Sequence, residues 1–247
     1  MSRRTVNHTN EIAVLMAAGL GSRMRPLTDT TPKPLIKVHG VPIIETMIEG
    51  LRARGIDEMY VVVGYLGEQF MYLEEKYPGL HVVWNKEYQA KNNISSIHAA
   101  VEYLNRGDVF VCESDILLRD PTILQADLSS SCYYGRMVEG YSDDWLFVTD
   151  ETGRIVRVKK EGTDCYNMVG IAYFKQADAV TLGEKIKEAY TKEGHEQLFW
   201  DDVVDRNLDI LSLHVHPISG AVLKELDCVA ELAEVDEGYR ELADSLK

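Results

Sequence analysis

Apolar residues fall along this chain in two distinct spacings. Unbroken runs at residues 12–17, 59–63 and 109–112 have the length and composition of strands buried on both faces. Between them the period lengthens to that of a helix. Ile43, Ile44, Met47, Ile48 and Leu51 share one helical face, and Gly55 suits the position after its last turn. Residues 67–77 read as a second helix, with Phe70, Met71 and Leu73 apolar and Pro78-Gly79 as its stop. A short strand at 81–84 follows, then a helix carrying Ile97, Ala100, Val101 and Leu104, with Ser95 or Ser96 as its N-cap. This alternation predicts a parallel sheet with helices on both faces, a Rossmann-like three-layer α/β/α arrangement.

From Ser131 the texture changes to short strand-like runs at 132–137, 145–149, 154–159 and 169–174, with Glu151-Thr152-Gly153 as a hairpin turn. They predict a small antiparallel, lid-like insertion at approximately 131–175, laid over the carboxyl edge of the sheet. An amphipathic helix at 179–190, a last strand at 213–216 and a closing helix at 229–246 complete the pattern. With no internal repeat and no low-complexity linker, residues 1–247 read as one domain.

The first strand runs straight into Gly19-Leu20-Gly21, where backbone without Cβ can turn sharply and approach a ligand. Successive N–H groups in such a turn make a concave anion site. Arg23 and Arg25 follow, and Lys33 comes between two prolines. A dinucleotide fingerprint would need a third glycine at position 24, which is Met24. A P-loop would close on Gly-Lys-Ser/Thr, which is absent. On its own the Gly-x-Gly can equally be a tight strand-to-helix turn with solvated cations; glycines, two guanidiniums and a held lysine together describe a cradle for a polyphosphate.

Charge sharpens this reading. The net charge of −14 and the lack of a basic stripe argue against a nucleic-acid partner. An anionic substrate must be gathered by local cations, which makes Arg23, Arg25 and Lys33 more telling. The four cysteines are widely separated and suggest neither a zinc site nor a disulfide framework. Residues 1–10 are polar and lack a signal-peptide apolar region, and no apolar run approaches membrane-spanning length. A cytoplasmic protein with no membrane partner is expected.

Three further segments carry polar groups where the sheet would present them. Residues 85–96 hold Tyr88, Asn92, Asn93 and Ser96, whose amides and hydroxyls can match the edge of a base. Glu113-Ser114-Asp115 ends the strand at 109–112 and points carboxylates into the crevice. Leu198-Phe199-Trp200-Asp201-Asp202 opens a helix, where acids also simply suit the dipole.

Taken together, Leu15-x-Ala17-Ala18-Gly19-x-Gly21-x-Arg23-x-x-Pro26-Leu27-Thr28 and Thr31-Pro32-Lys33-Pro34-Leu35 resemble the nucleotidyltransferase family that makes nucleoside-diphosphate sugars and alcohols. The Asn85 to Ser96 segment and Trp200-Asp201 resemble the branch of bacterial CTP:phosphocholine cytidylyltransferases. The resemblance implies a nucleotide site at Leu15, Ala17, Ala18, Gly19, Gly21, Arg25, Lys33, Asn92, Asn93 and Ser96. It implies Mg²⁺ held by Asp115 and Asp201, with Asp202 as the neighbouring alternative to Asp201, and relatives also carry an acid at the position of Glu113. Lys33, Arg25, Asp115 and Asp201 would be the catalytic set.

The implied reaction joins CTP to a small phosphorylated amino alcohol, first phosphocholine, giving CDP-choline and pyrophosphate. A quaternary ammonium cannot donate hydrogen bonds, so aromatic faces and nearby acids are its partners. Trp145 and Trp200 would form the cage, with Asp144 and Tyr173 completing it, although Tyr173 in an apolar strand also reads as core. Phosphoethanolamine or 2-aminoethylphosphonate would suit a similar site with more acids, and Asp143-Asp144 keeps that alternative open. A sugar-1-phosphate acceptor is the third option. Either a monomer or a homodimer is compatible with the sequence.

Overall fold

A computed structural model describes residues 10–246. The polar stretch at 1–9 lies outside the described residues. In chain order the strands are β1 (Glu11–Ala17), β2 (Lys37–Val38), β3 (Val41–Pro42), β4 (Met59–Val63), β5 (Leu80–Trp84), β6 (Asp108–Glu113), β7 (Ile116–Leu118), β8 (Cys132–Thr149), β9 (Ile155–Phe174), β10 (His214–Ile218) and β11 (Leu223–Glu225). The helices are α1 (Ile43–Arg54), α2 (Tyr72–Lys76), α3 (Ile94–Ala99), α4 (Gln176–Tyr190), α5 (Trp200–Asp205), α6 (Val229–Val235) and α7 (Arg240–Ser245).

Seven strands form one sheet in the order β10-β8-β9-β6-β1-β4-β5. Only β9 runs against the others, because both of its pairings, with β6 and with β8, are antiparallel. The strand β1 lies between β4 and β6 with parallel partners on both sides, so the carboxyl ends of all three open onto one edge. Such a reversal of strand order is where doubly wound sheets bind ligands. Alternate residues of β1 enter opposite layers. Ile12, Val14 and Met16 pack towards α3 and α4, whereas Ala13, Leu15 and Ala17 pack towards α1.

A third, smaller cluster does the positioning. Met24 from the glycine loop, Ile36 just after Lys33, Leu117 from β7, and Leu226 and Leu232 near α6 are all buried together. It ties three segments far apart in sequence, each bearing polar groups, to one anchor. Pairing of β11 with β7 brings Leu223–Glu225 alongside Ile116–Leu118 and completes the juxtaposition.

Several predicted elements differ in extent. The predicted helix at 67–77 is a 3₁₀ turn followed by α2. Its neighbour α3 ends at Ala99, and Ser95 and Ser96 lie inside it rather than capping it. The closing helix is broken at Asp236 into α6 and α7. The four short strands after Ser131 are two long ones, β8 and β9. Their inner halves belong to the central sheet, with Cys132 opposite Tyr173 and Val109 opposite Phe174, so the hairpin grows out of the sheet. The hairpin turns where expected: the Asp150 carboxylate accepts from the N–H groups of Thr152 and Arg154, and Gly153 takes a left-handed φ of 81°. Among the described residues no helix is long and apolar enough to cross a membrane.

Candidate active site

The glycine loop leaves β1 and folds back on the segment carrying Lys33. Gly21 has φ +60°, and a Cβ there would lie 2.9 Å from Lys33 Cβ and 3.0 Å from Thr28 Cγ2. Only a residue without a side chain allows that approach. The Thr28 hydroxyl donates to the Gly21 carbonyl at 2.9 Å and fixes the turn.

Lys33 is 8% exposed. Its ammonium donates to Asp115 Oδ2 at 2.7 Å and to Asp227 Oδ1 at 2.8 Å. Burial works against the charge, but the two carboxylates outweigh it and hold the pKa above the usual lysine value. Arg23 also donates to Asp227 Oδ1, at 2.8 Å. Asp115, Glu225 and Asp227 each offer a carboxylate oxygen, and those oxygens lie within 4.8 Å of one another. Glu113 stands beside them, and its carboxyl is pushed well above the usual range by burial and then by Asp115, Asp201 and Glu225.

These groups join two lobes of one crevice. The narrower, about 260 Å³, is floored by Ala17, Gly19, Gly21 and Lys33. The wider, about 430 Å³, is walled by Asn93, Asp144, Trp145, Lys160, Phe199 and Asp201. Arg23, Glu113, Asp115 and Asp227 border both. One lobe therefore offers backbone amides and a cation, the other offers acids and rings, and clustered carboxylates lie between. Such an arrangement offers room for a polyphosphate, a metal ion and a second small ligand side by side.

The geometry revises several expectations. Arg25 is two-thirds exposed, pairs with Asp29 at 3.3 Å and borders neither lobe, whereas Arg23 borders both. Leu15 is fully buried, and its side chain is part of the layer towards α1. Ala18 is buried and uses its carbonyl to accept from Tyr65 N–H. Asn92 accepts from the Asn93 N–H and donates to the Gln197 carbonyl, while Ser96 is buried and accepts from Asn85 Nδ2. Both hold the loop rather than face the crevice. Asn93 does border the crevice and accepts from Trp200 N–H at 3.0 Å.

The expected aromatic cage is also different. Trp200 is core, stacked on Tyr133 with ring centroids 5.7 Å apart. Tyr173 is at the opposite edge of the sheet, its hydroxyl bonded to Glu11 and Asp108 at 3.0 and 2.9 Å. Trp145 and Asp144 do reach the wider lobe, and the ring partner of Trp145 is Phe199. Asp202 caps α5 by accepting from Phe199 N–H. Asp201 lines the lobe but accepts from the buried Tyr133 hydroxyl at 2.9 Å and is absent from the cluster around Asp115. Burial pushes its carboxyl up to about 7.

Asp227, Glu225, Lys160 and Phe199 also line the wider lobe and were not singled out from the sequence. Asp227 had one usable signal. Glu225-Leu226-Asp227 precedes a helix whose own capping acid is Glu231, so Asp227 is not needed as that cap.

Residues 13–199 match the model of the MobA-like NTP transferase domain, and the chain belongs to that family. It is a nucleotidyltransferase. Among its relatives is a 2-aminoethylphosphonate cytidylyltransferase of Lancefieldella rimae, 53% identical and aligned over 92% of each chain. A choline-phosphate cytidylyltransferase of Streptococcus pneumoniae is 32% identical over 91% of this chain and 96% of the relative. A solved structure of the CTP:phosphocholine cytidylyltransferase from Streptococcus pneumoniae superposes with a TM-score of 0.84 at 32% identity, covering 96% of this chain and all of that one.

The two arginines give a direct check. Arg23→Ala removes a charged hydrogen-bond donor from the crevice and is expected to cost ~10–100-fold in kcat/KM for the nucleotide. Arg25→Ala is a surface change and is expected to stay within about twofold. Initial rates of pyrophosphate release compare them, and the reverse order would return Arg25 to the site.

Proposed function

We propose that the protein is a cytidylyltransferase that transfers CMP from CTP to 2-aminoethylphosphonate. A phosphonate oxygen attacks the α-phosphorus; the new P–O bond forms as the bond to the β-phosphate breaks, and pyrophosphate leaves. The acceptor carries an anionic oxygen already, as a phosphate ester does with its second pKa of ~6, so no general base is required. Catalysis then rests on alignment and on neutralising charge.

The observation that carries the choice of acceptor is the acid lining of the wider lobe. A primary ammonium has three hydrogens to donate, and Glu113, Asp144 and Asp201 all border that lobe. A trimethylated nitrogen has none, and of the expected cage only Trp145 and Asp144 are in place. The 53% identical relative, named for the same acceptor, supports this reading. The phosphocholine expected first thus gives way to the aminophosphonate alternative.

Lys33 would meet the triphosphate, and the amides of the glycine loop would hold its remaining oxygens. Asp115, Glu225 and Asp227 suit Mg²⁺, a hard cation that takes oxygen ligands, and Lys33 already places a cation against two of them. Bound there, Mg²⁺ would supply Lewis-acid neutralisation of the reacting phosphates.

Pyrophosphate release with CTP and Mg²⁺ across 2-aminoethylphosphonate, phosphoethanolamine, phosphocholine and glucose-1-phosphate tests the proposal. The expected result is highest kcat/KM with 2-aminoethylphosphonate. Preference for phosphocholine or for the sugar phosphate would sink the acceptor assignment.

A further inference from the structure

The aromatic pair that could cradle a quaternary ammonium already holds a cation. Trp145 on β8 stands directly opposite Lys160 on β9 in the antiparallel register, which puts both side chains on one face of the hairpin. Lys160 Nζ lies 5.0 Å from the centroid of the Trp145 ring and 5.9 Å from that of Phe199, both within cation–π reach. Phe199 meets Trp145 edge-on, with centroids 5.6 Å apart and planes at 66°. Among the described residues Lys160 forms no ion pair, so no carboxylate draws its ammonium off the rings. All three side chains border the acceptor lobe.

We propose that Lys160 is a specificity-determining residue: its ammonium occupies the ring faces of Trp145 and Phe199 and so refuses an acceptor whose nitrogen is fully methylated. The inference rests on the aminoethylphosphonate reading and deepens it. A trimethylated nitrogen has only ring faces and diffuse charge to recognise it, and here it must displace a like charge to reach them. A primary ammonium does not need the rings, because Asp144 and Asp201 border the same lobe and accept its hydrogens. Trp145 alone is therefore no mark of a choline site; the residue across the register decides whether its face is free.

The experiment uses two acceptors that differ only at nitrogen, 2-aminoethylphosphonate and its N,N,N-trimethyl derivative, with saturating CTP and Mg²⁺. Lys160→Met keeps an unbranched stem against Trp145 and removes the charge; Lys160→Arg keeps the charge. Wild-type protein is expected to favour the primary amine by about 100-fold in kcat/KM. Lys160→Met is expected to narrow that ratio by about tenfold, chiefly through a lower KM for the trimethylated acceptor, and Lys160→Arg to retain it. An unchanged ratio in Lys160→Met, or an equal loss with both acceptors, overturns the role of Lys160 and leaves the wild-type preference for aminoethylphosphonate standing. Wild-type protein that uses the trimethylated compound as readily as the primary amine, or uses neither, overturns the acceptor reading and this inference with it.

Discussion

Lys33→Met is expected to lower kcat on the order of 10²–10³-fold, the usual cost of removing one preorganised donor from a developing charge. Lys33 is the buried cation of the narrower lobe, and Arg23, which borders both lobes, has a side chain that is 70% exposed. The carboxylates of Asp115 and Asp227 hold the ammonium in its charged form through the neutral range, so no change of pH within that range compensates for its loss. Without nucleotide the lysine is engaged by those acids; a triphosphate and a metal ion would compete for each partner and free the ammonium for the phosphates. The substitution should also reveal what the lysine does for the resting protein. Asp115 and Asp227 would face each other without a counter-charge, so the melting temperature in chelator is expected to fall. Mg²⁺ is expected to raise it more in Lys33→Met than in wild type, since the ion takes over the neutralisation. An undiminished kcat would remove Lys33 from the phosphates, and a melting temperature insensitive to Mg²⁺ in both proteins would remove the ion from the carboxylates.

What could be read from the sequence was local. The unbroken apolar runs that became β1, β4 and β6 need burial on both faces, and that demand is written in consecutive residues. The glycine loop, Lys33 and Asp115 were legible for the same reason: each sits next to the strand end or turn that positions it. Tyr173 was misplaced because a ring in an apolar run looks alike whichever edge of a strand it occupies, and Trp200 because a ring on the first residue of a helix does not show in sequence which layer it enters. The register of β9 on β6, with Phe110 opposite Tyr173, decides that the Tyr173 hydroxyl meets Glu11 and Asp108 at the amino end. Asp227 was hidden by distance along the chain. It joins Asp115 only because β11 adds to β7 and because Leu226 drops into the small core beneath Met24 and Ile36. Lys160 was hidden by the hairpin, since its bearing on the site comes from standing opposite Trp145 in a register that four separate short strands would not have implied.

Asp227→Asn and Asp201→Asn are expected to fail in different ways, and the contrast decides which carboxylate serves the metal. Asp227 shares Lys33 with Asp115 and lies in the oxygen cluster with Asp115 and Glu225. Its loss is expected to cut Mg²⁺-dependent turnover on the order of 10³-fold and to raise the Mg²⁺ concentration needed for half-maximal rate. Asp201 is committed to the Tyr133 hydroxyl and borders the wider lobe. Its loss is expected to leave the Mg²⁺ requirement alone and to raise KM for 2-aminoethylphosphonate ~10–100-fold, the worth of one charged hydrogen bond. The pH profile separates the two further. With the Asp201 carboxyl pushed up to about 7 by burial, it is protonated and neutral below that pH and charged above it. On the proposed function it would accept the acceptor's ammonium best when charged, so KM for the aminophosphonate is expected to rise in wild type as pH falls through about 7. In Asp201→Asn that part of the dependence should vanish, while ionisation of the acceptor phosphonate affects both proteins alike. A raised Mg²⁺ requirement in Asp201→Asn, with Asp227→Asn near normal, would reinstate the Asp115–Asp201 pair that the sequence resemblance implied.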